Sequence, residues 1–191
     1  QWFFFPKFDG QNIRVEWTKK RGFYKFGSRG QLVSEDDVHF GPAFKIFRER
    51  LAGNIEEYAL YRKWEDPVTI FCEYWGPNSF AGIHDPKDEM RVSIIDINIH
   101  KKGFLPPHEF IKLEEAMKLE NIDIAHCYGR FIFDDELVKS VNDGSWGTFE
   151  GVIGKRHTNG RMYMVKIKSK QWRDKLKERF SPEEAERLVK S

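Results

Sequence analysis

The sequence predicts an α+β fold built on antiparallel sheets, and three observations carry that prediction. "NIRVEW" alternates Ile13, Val15 and Trp17 with polar residues, the period of a half-buried strand, and "GFYKFGSRG" follows it as a return strand ending in a glycine turn. "VTIFCEYWG" and "RVSIIDINI" are further runs rich in β-branched and aromatic residues. Between and after them lie segments in which apolar residues recur at helical spacing.

Taken in chain order, the opening stretch "FFFPKFDGQN" comes first. In an extended segment alternate side chains share a face, so Phe3, Phe5, Lys7 and Asp9 line one side of a strand that ends at Gly10. That geometry sets an amine beside a carboxylate at the rim of a core; taken alone, it also fits an edge strand whose Lys7 and Asp9 are simply solvated. "GPAFKIFRERLAGN" predicts a helix, with Pro42 in its first turn, Phe44, Phe47 and Leu51 on one stripe, and Gly53 as its terminator. "PPHEFIKLEEAMKLE" predicts a second helix with Phe110, Leu113 and Met117 inward. In "SPEEAERLVK", Ser181 is the N-cap, Pro182 the first helical residue and Glu184 the partner in a capping box.

The segment "GRMYMVKIKSK" alternates strictly. As a strand it places Tyr163, Val165 and Ile167 on one face and Met162, Met164, Lys166 and Lys168 on the other. Two lysines side by side repel, and burying them unpaired is costly, so they belong on a solvated edge or where an anion sits between them.

With 191 residues, 40% hydrophobic and 15% aromatic, the chain buries a real core as one domain or two small ones. The net charge of +2 conceals a basic stretch, residues 155–179, in which ten Lys and Arg face only Asp174 and Glu178. A polyanion is the partner such a stretch suits. Cys72 and Cys127 make no disulfide framework, and a reducing, cytoplasmic setting is expected. The six histidines, His39, His84, His100, His108, His126 and His157, are scattered, which speaks against a structural transition-metal site. "WFFF" is too short for a signal-peptide core or a membrane span, so a soluble chain is expected. It begins at Gln1 rather than Met, the opening expected of a sequence that has lost N-terminal residues.

Six short pieces, taken in order, form one pattern: "KFDG" at 7–10, "FGSRG" at 26–30, "FCEYWG" at 71–76, "SIIDIN" at 93–98, "EGVI" at 150–153 and "KIK" at 166–168. Their order and spacing resemble the nucleotidyltransferase motifs of the ATP-dependent RNA and DNA ligases and the mRNA capping enzymes. The resemblance implies a nucleotidyltransferase (adenylation) domain over residues 1–168, of two antiparallel sheets flanked by helices with an ATP cleft between the sheets. Residues 169–191 would form a basic segment and a C-terminal helix, too short for the five-stranded OB barrel of DNA ligases and capping enzymes.

The residue roles implied by the resemblance fit the chemistry. A lysine amine is a nucleophile only when deprotonated, and Lys7 stands where the family's nucleophile forms lysyl-AMP. Lys166 and Lys168 would grip the α-phosphate, holding positive charge where negative charge develops. Asp9 and Glu150 would hold a hydrated Mg²⁺ or Mn²⁺, with Asn12 ordering its water shell, since hard oxygen ligands and retained waters suit such ions. Arg29 and Glu73 map onto residues that contact the phosphate or ribose. Ile94 stands where the family usually sets an aromatic side chain against the base, and offers an apolar wall without ring stacking; Cys72 replaces a frequent glycine.

Asn12, in "KFDGQN", occupies a place where DNA ligases and capping enzymes read arginine; asparagine there resembles the small RNA ligases. The expectation is a monomeric ATP-dependent RNA ligase that joins a 5'-phosphate to a 3'-hydroxyl through lysyl-AMP and an adenylylated polynucleotide. The adenylation domain of a small DNA ligase, or a non-catalytic RNA-binding relative, is the alternative.

Overall fold

The computed structural model describes residues 1–77, 85–148 and 150–190; His84 lies outside them. Two compact units emerge, each assembled from separate stretches of chain. The first comprises Gln1–Gly10, Trp75–Glu89 and His126–Ser191; the second comprises Gln11–Tyr74 and Met90–Ala125.

In the second unit, strands β2 (Gly10–Thr18) and β3 (Gly22–Ser28) follow β1 (Trp2–Lys7, of the first unit) and form an antiparallel hairpin in which Ile13 pairs with Ser28. Helix α1 (Gly41–Ile46) opens with Pro42 in its first turn and passes through one π-turn (Phe47–Leu51) directly into α2 (Ala52–Tyr61). Gly53 therefore does not end the helix as the sequence suggests. It faces solvent with open space around it, and Ile55 and Ala59 prolong the buried stripe begun by Phe44, Phe47 and Leu51, so packing outweighs one residue's helix penalty of about 1 kcal/mol. Strands β4 (Val68–Trp75), β5 (Arg91–Ile99) and β6 (Gly103–Phe104) complete a five-stranded sheet in the order β3-β2-β4-β5-β6. Helix α3 (Pro107–Leu119) buries Phe110, Leu113 and Met117, as its spacing requires.

The first unit carries a four-stranded antiparallel sheet in the order β7-β1-β8-β9, with β7 at Gly129–Phe131, β8 at Gly151–Thr158 and β9 at Arg161–Lys168. Helix α4 (Asp135–Asn142) starts where the Asp134 side chain accepts from the Leu137 N–H at 2.9 Å. It lays Leu137 and Val141 against Phe4, Val152 and Ile167 of the sheet. Helices α5 (Lys170–Arg179) and α6 (Pro182–Lys190) follow and share a small core of Trp172, Leu176 and Ala185. The capping box of α6 forms as read: Glu184 N–H donates to Ser181 Oγ, and the Glu184 carboxylate accepts from Ser181 N–H.

Together these elements give an α+β fold of two antiparallel sheets, of four and five strands, flanked by helices. Among the described residues, no helix is long and apolar enough to cross a membrane.

Candidate functional site: a lysine–carboxylate cluster on the four-stranded sheet

Strand β1 ends at Lys7 rather than running on to Gly10, so Asp9 does not continue the face of Phe3, Phe5 and Lys7. The chain bends after Lys7 and turns Asp9 inward until only 2% of it is exposed. At the strand's end Lys7 pairs in register with Gly151 of β8, and Gly151 pairs with Lys168 of β9. One row across three adjacent strands thus brings together two lysines separated by most of the sequence.

Gly151 makes the row possible. Its φ of +142° is one that side-chain-bearing residues rarely adopt, and a Cβ there would stand 1.9 Å from the Ile167 carbonyl oxygen. Glycine after Glu150 is therefore a geometric requirement, and the turn it permits delivers the Glu150 carboxylate to the row. The Lys7 ammonium forms an ion pair with Glu150 Oε1, and Lys168 Nζ lies 3.8 Å from the same oxygen. Glu150 is 4% exposed. Burial pushes its carboxyl above the usual carboxylate range and the charge of Asp9 adds to the rise, while Lys7 and Lys168 oppose it.

Alternation in β9 follows the sequence reading. Ile167 and Val165 pack against the α4 core, and Lys166 and Lys168 take the opposite face. Lys166, opposite Ile153, is exposed, whereas Lys168 is half-buried. Tyr163, on the face of Val165 and Ile167, lies beyond the end of the packed region, 44% exposed, with the Arg156 guanidinium 5.8 Å from its ring centre.

Sequence reasoning missed what lies behind this row. Trp172 of α5 donates from Nε1 to Asp9 Oδ1 at 3.0 Å in a fully buried contact, and its ring lies 4.9 Å from Lys168 Nζ. Lys168 Nζ also donates to the carbonyls of Leu188 and Val189 in the last turn of α6, at 3.0 and 2.9 Å. The local signal was present: Ser169, directly after β9, caps α5 by accepting from the Trp172 N–H at 3.1 Å, the pattern of a helix start. The basic segment is thus a helix, and its two acids serve its own lysines: Asp174 pairs with Lys170 and Lys177, and Glu178 with Lys175.

The remaining candidates belong to the second unit. Asn12 is the third residue of β2 and Arg29 follows β3, so both stand at the same end of one hairpin, and Arg29 is exposed. Glu73 is half-buried in β4, next to Cys72, which is fully buried and whose thiol burial pushes up, away from thiolate chemistry. Ile94 is fully buried in β5, its N–H donating to the Asp123 carbonyl and its carbonyl accepting from Ala125.

Chemically, the cluster sets a primary amine against a carboxylate, with a second amine 3.8 Å from that carboxylate and another carboxylate held by an indole N–H. Such a site offers a nucleophile, fixed positive charge for an anion, and hard oxygen donors.

No protein-family model matches the sequence, and no curated protein matches it. Among solved structures, it is similar to the RNA ligase of Naegleria gruberi. An apo form superposes with a TM-score of 0.68 at 14% identity, a form with ATP and Mn with 0.66 at 14%, and a form with AMP and Mn with 0.65 at 14%. Each superposition covers 93% of this chain and 52% of the ligase chain, so this chain spans about half the length of the structures it matches. The two-sheet α+β fold is similar to that of these RNA ligase structures.

Proposed function

We propose that this chain is an ATP-dependent RNA ligase that works through a lysyl-AMP intermediate. The observation that carries the reading is the register row Lys7–Gly151–Lys168 with the Glu150 carboxylate beside it. A solvated edge strand would have no cause to bury a carboxylate against two lysines, since removing such charges from water is costly unless they are matched. The likeness to ligase structures holding ATP or AMP with Mn supports the same reading.

In the proposed reaction the neutral Lys7 amine attacks the α-phosphorus of ATP. A P–N bond forms, the P–O bond to the β-phosphate breaks, pyrophosphate departs with the electron pair, and the amine sheds a proton to solvent. A 5'-phosphate oxygen then attacks the same phosphorus and the amine leaves, reclaiming a proton. Finally a 3'-hydroxyl attacks the 5'-phosphorus, losing its proton as AMP departs. Lys168 and Lys166 hold positive charge against the α-phosphate, and Glu150 keeps the Lys7 amine in place through their pairing.

Two buried carboxylates, Asp9 and Glu150, fit a hydrated Mg²⁺ or Mn²⁺. Among the described residues no group of three or more His, Cys, Asp and Glu side chains is placed for a metal, so water and phosphate oxygens would complete the shell, with Asn12 ordering the water. When bound, such an ion neutralises charge on the departing pyrophosphate. Arg29 and Glu73 are assigned to the phosphate and ribose.

The test is intact mass after incubation with ATP and a divalent cation. The wild type should gain one AMP, and Lys7→Ala should gain none while keeping its circular dichroism spectrum. An undiminished adduct in Lys7→Ala overturns the assignment. RNA is the proposed substrate on the strength of Asn12, and nicks whose 3' side ends in ribose should be sealed faster than all-DNA nicks. Equal or faster sealing of the DNA nick would favour a DNA ligase domain instead.

A further inference from the structure

We infer that Trp172 is a positioning residue of this site, which fixes the Asp9 carboxylate through its indole N–H and backs the Lys168 ammonium with its ring. The inference rests on the lysyl-AMP reading and extends it to a residue outside the six motif pieces. Three observations converge on one side chain. Trp172 is 3% exposed; its single polar hydrogen is spent on Asp9 Oδ1 at 3.0 Å; and its ring lies 4.9 Å from Lys168 Nζ. Indole has one donor and no acceptor, so this bond fixes which carboxylate oxygen is held and leaves the other to different partners.

A tryptophan in a helical pair needs none of this to be buried. Leu176, Ala185 and Phe180 already supply the apolar setting, and a buried indole N–H could have been satisfied by any nearby carbonyl. Here it meets the carboxylate that follows the reactive lysine by two residues, across a sequence separation of 163. The same ring carries the neighbouring lysine of the row. Asp9 sits off the strand, beyond the end of β1. The indole bond is a buried, directional contact on its carboxylate.

Supports of this kind, which orient a functional carboxylate, are worth about 10- to 100-fold in the property they serve. Trp172→Phe keeps a ring against Lys168 and Leu176 and removes only the N–H. It should slow single-turnover adenylylation about 10- to 100-fold at saturating ATP, change the KM for ATP less than about 3-fold, and raise the Mn²⁺ concentration needed for half-maximal rate. Asp9→Ala should slow the same step, and the double variant should be no slower than Asp9→Ala alone, because Trp172 acts through Asp9. Additive losses, with an unchanged Mn²⁺ midpoint, would make Trp172 a packing residue only.

A second measurement does not depend on how well Trp172→Phe folds. In ¹⁵N-labelled wild-type protein without nucleotide or metal, the Trp172 indole N–H should exchange slowly with solvent. It should stay slow in Asp9→Asn, which keeps an oxygen acceptor, and exchange faster in Asp9→Ala. Equal exchange in all three overturns the inference. A wild type that never gains AMP would instead overturn the ligase reading, whereas a wild type that gains AMP no faster than Trp172→Phe overturns the role of Trp172 alone.

Discussion

Glu150 shows how a single residue can be costly to the fold and useful to the site. Its carboxyl is held above the usual range, first by burial, with Lys7 and Lys168 pulling the other way. A group whose folded pKa lies above its unfolded value near 4.5 favours the fold below that value, and this contribution is lost as pH rises through the folded pKa. Glutamine mimics the protonated form and carries no such dependence. In the absence of nucleotide and metal, the melting temperature of Glu150→Gln relative to wild type should therefore rise from about pH 5 to about pH 8. A difference that is flat with pH, or falls, would mean that the Lys7 pairing outweighs desolvation. The same substitution should abolish adenylylation, so stability and activity would move in opposite directions.

At the scale of elements, β9 separates packing from chemistry on its two faces. Ile167→Ala removes a buried side chain from the cluster with Phe4, Leu137, Val141 and Val152, and should cost about 2–5 kcal/mol in denaturant unfolding. Tyr163→Ala, on the same face but exposed, should cost less than about 1 kcal/mol. Neither should change the adenylylation rate of folded protein. Lys166→Ala should lower it severely with little change in unfolding, whereas Lys168→Ala should lower it severely and also destabilise, because it removes a counter-charge of Glu150 and the donor to the last carbonyls of α6. Wild-type rates in both lysine variants would reduce the strip to surface charge.

The contrast between elements also explains what could be read in advance. Strands β2, β4, β5 and β9 and helices α3 and α6 announce themselves by periodicity or by caps. Helix α5 announces itself only by its Ser169 cap: its buried residues are Trp172 and Leu176 among charged neighbours, so its composition reads as a basic tail. The boundaries misread at Gly10 and Gly53 share one cause. A glycine permits a break, and tertiary packing decides whether one occurs there. Lys7, Glu150 and Lys168 were legible because their chemistry restricts residue type, whereas Trp172 meets Asp9 through a contact no local period encodes.

For the molecule as a whole, the four-stranded sheet joins distant parts of the chain. β1 lies between β7 and β8, with Phe3 paired to Arg130 on one side and Lys155 on the other. Removing residues 1–6 would strip an interior strand and take Phe4 from the core, leaving two edges unpaired. That variant should lose the native near-ultraviolet circular dichroism spectrum and most of its soluble yield. A native spectrum would mean that β7 and β8 can close the gap themselves.

The pairing of Phe3 with Lys155 has a further consequence in time. A ribosome adds about 5–20 residues per second, so the sequence separation of 152 from Phe3 to Lys155 takes roughly 8–30 seconds to synthesise. Throughout that interval Trp2, Phe3, Phe4 and Phe5 exist as a nascent aromatic strand without the neighbour that will cover its edge, a strong substrate for chaperones and for aggregation. Trp172 is made later still, so the Asp9 carboxylate gains its indole partner only after the sheet beside it can close. Slower translation of the middle of the message should therefore lengthen the exposed life of the segment that ends in the reactive lysine, lowering the yield of active protein without altering a residue.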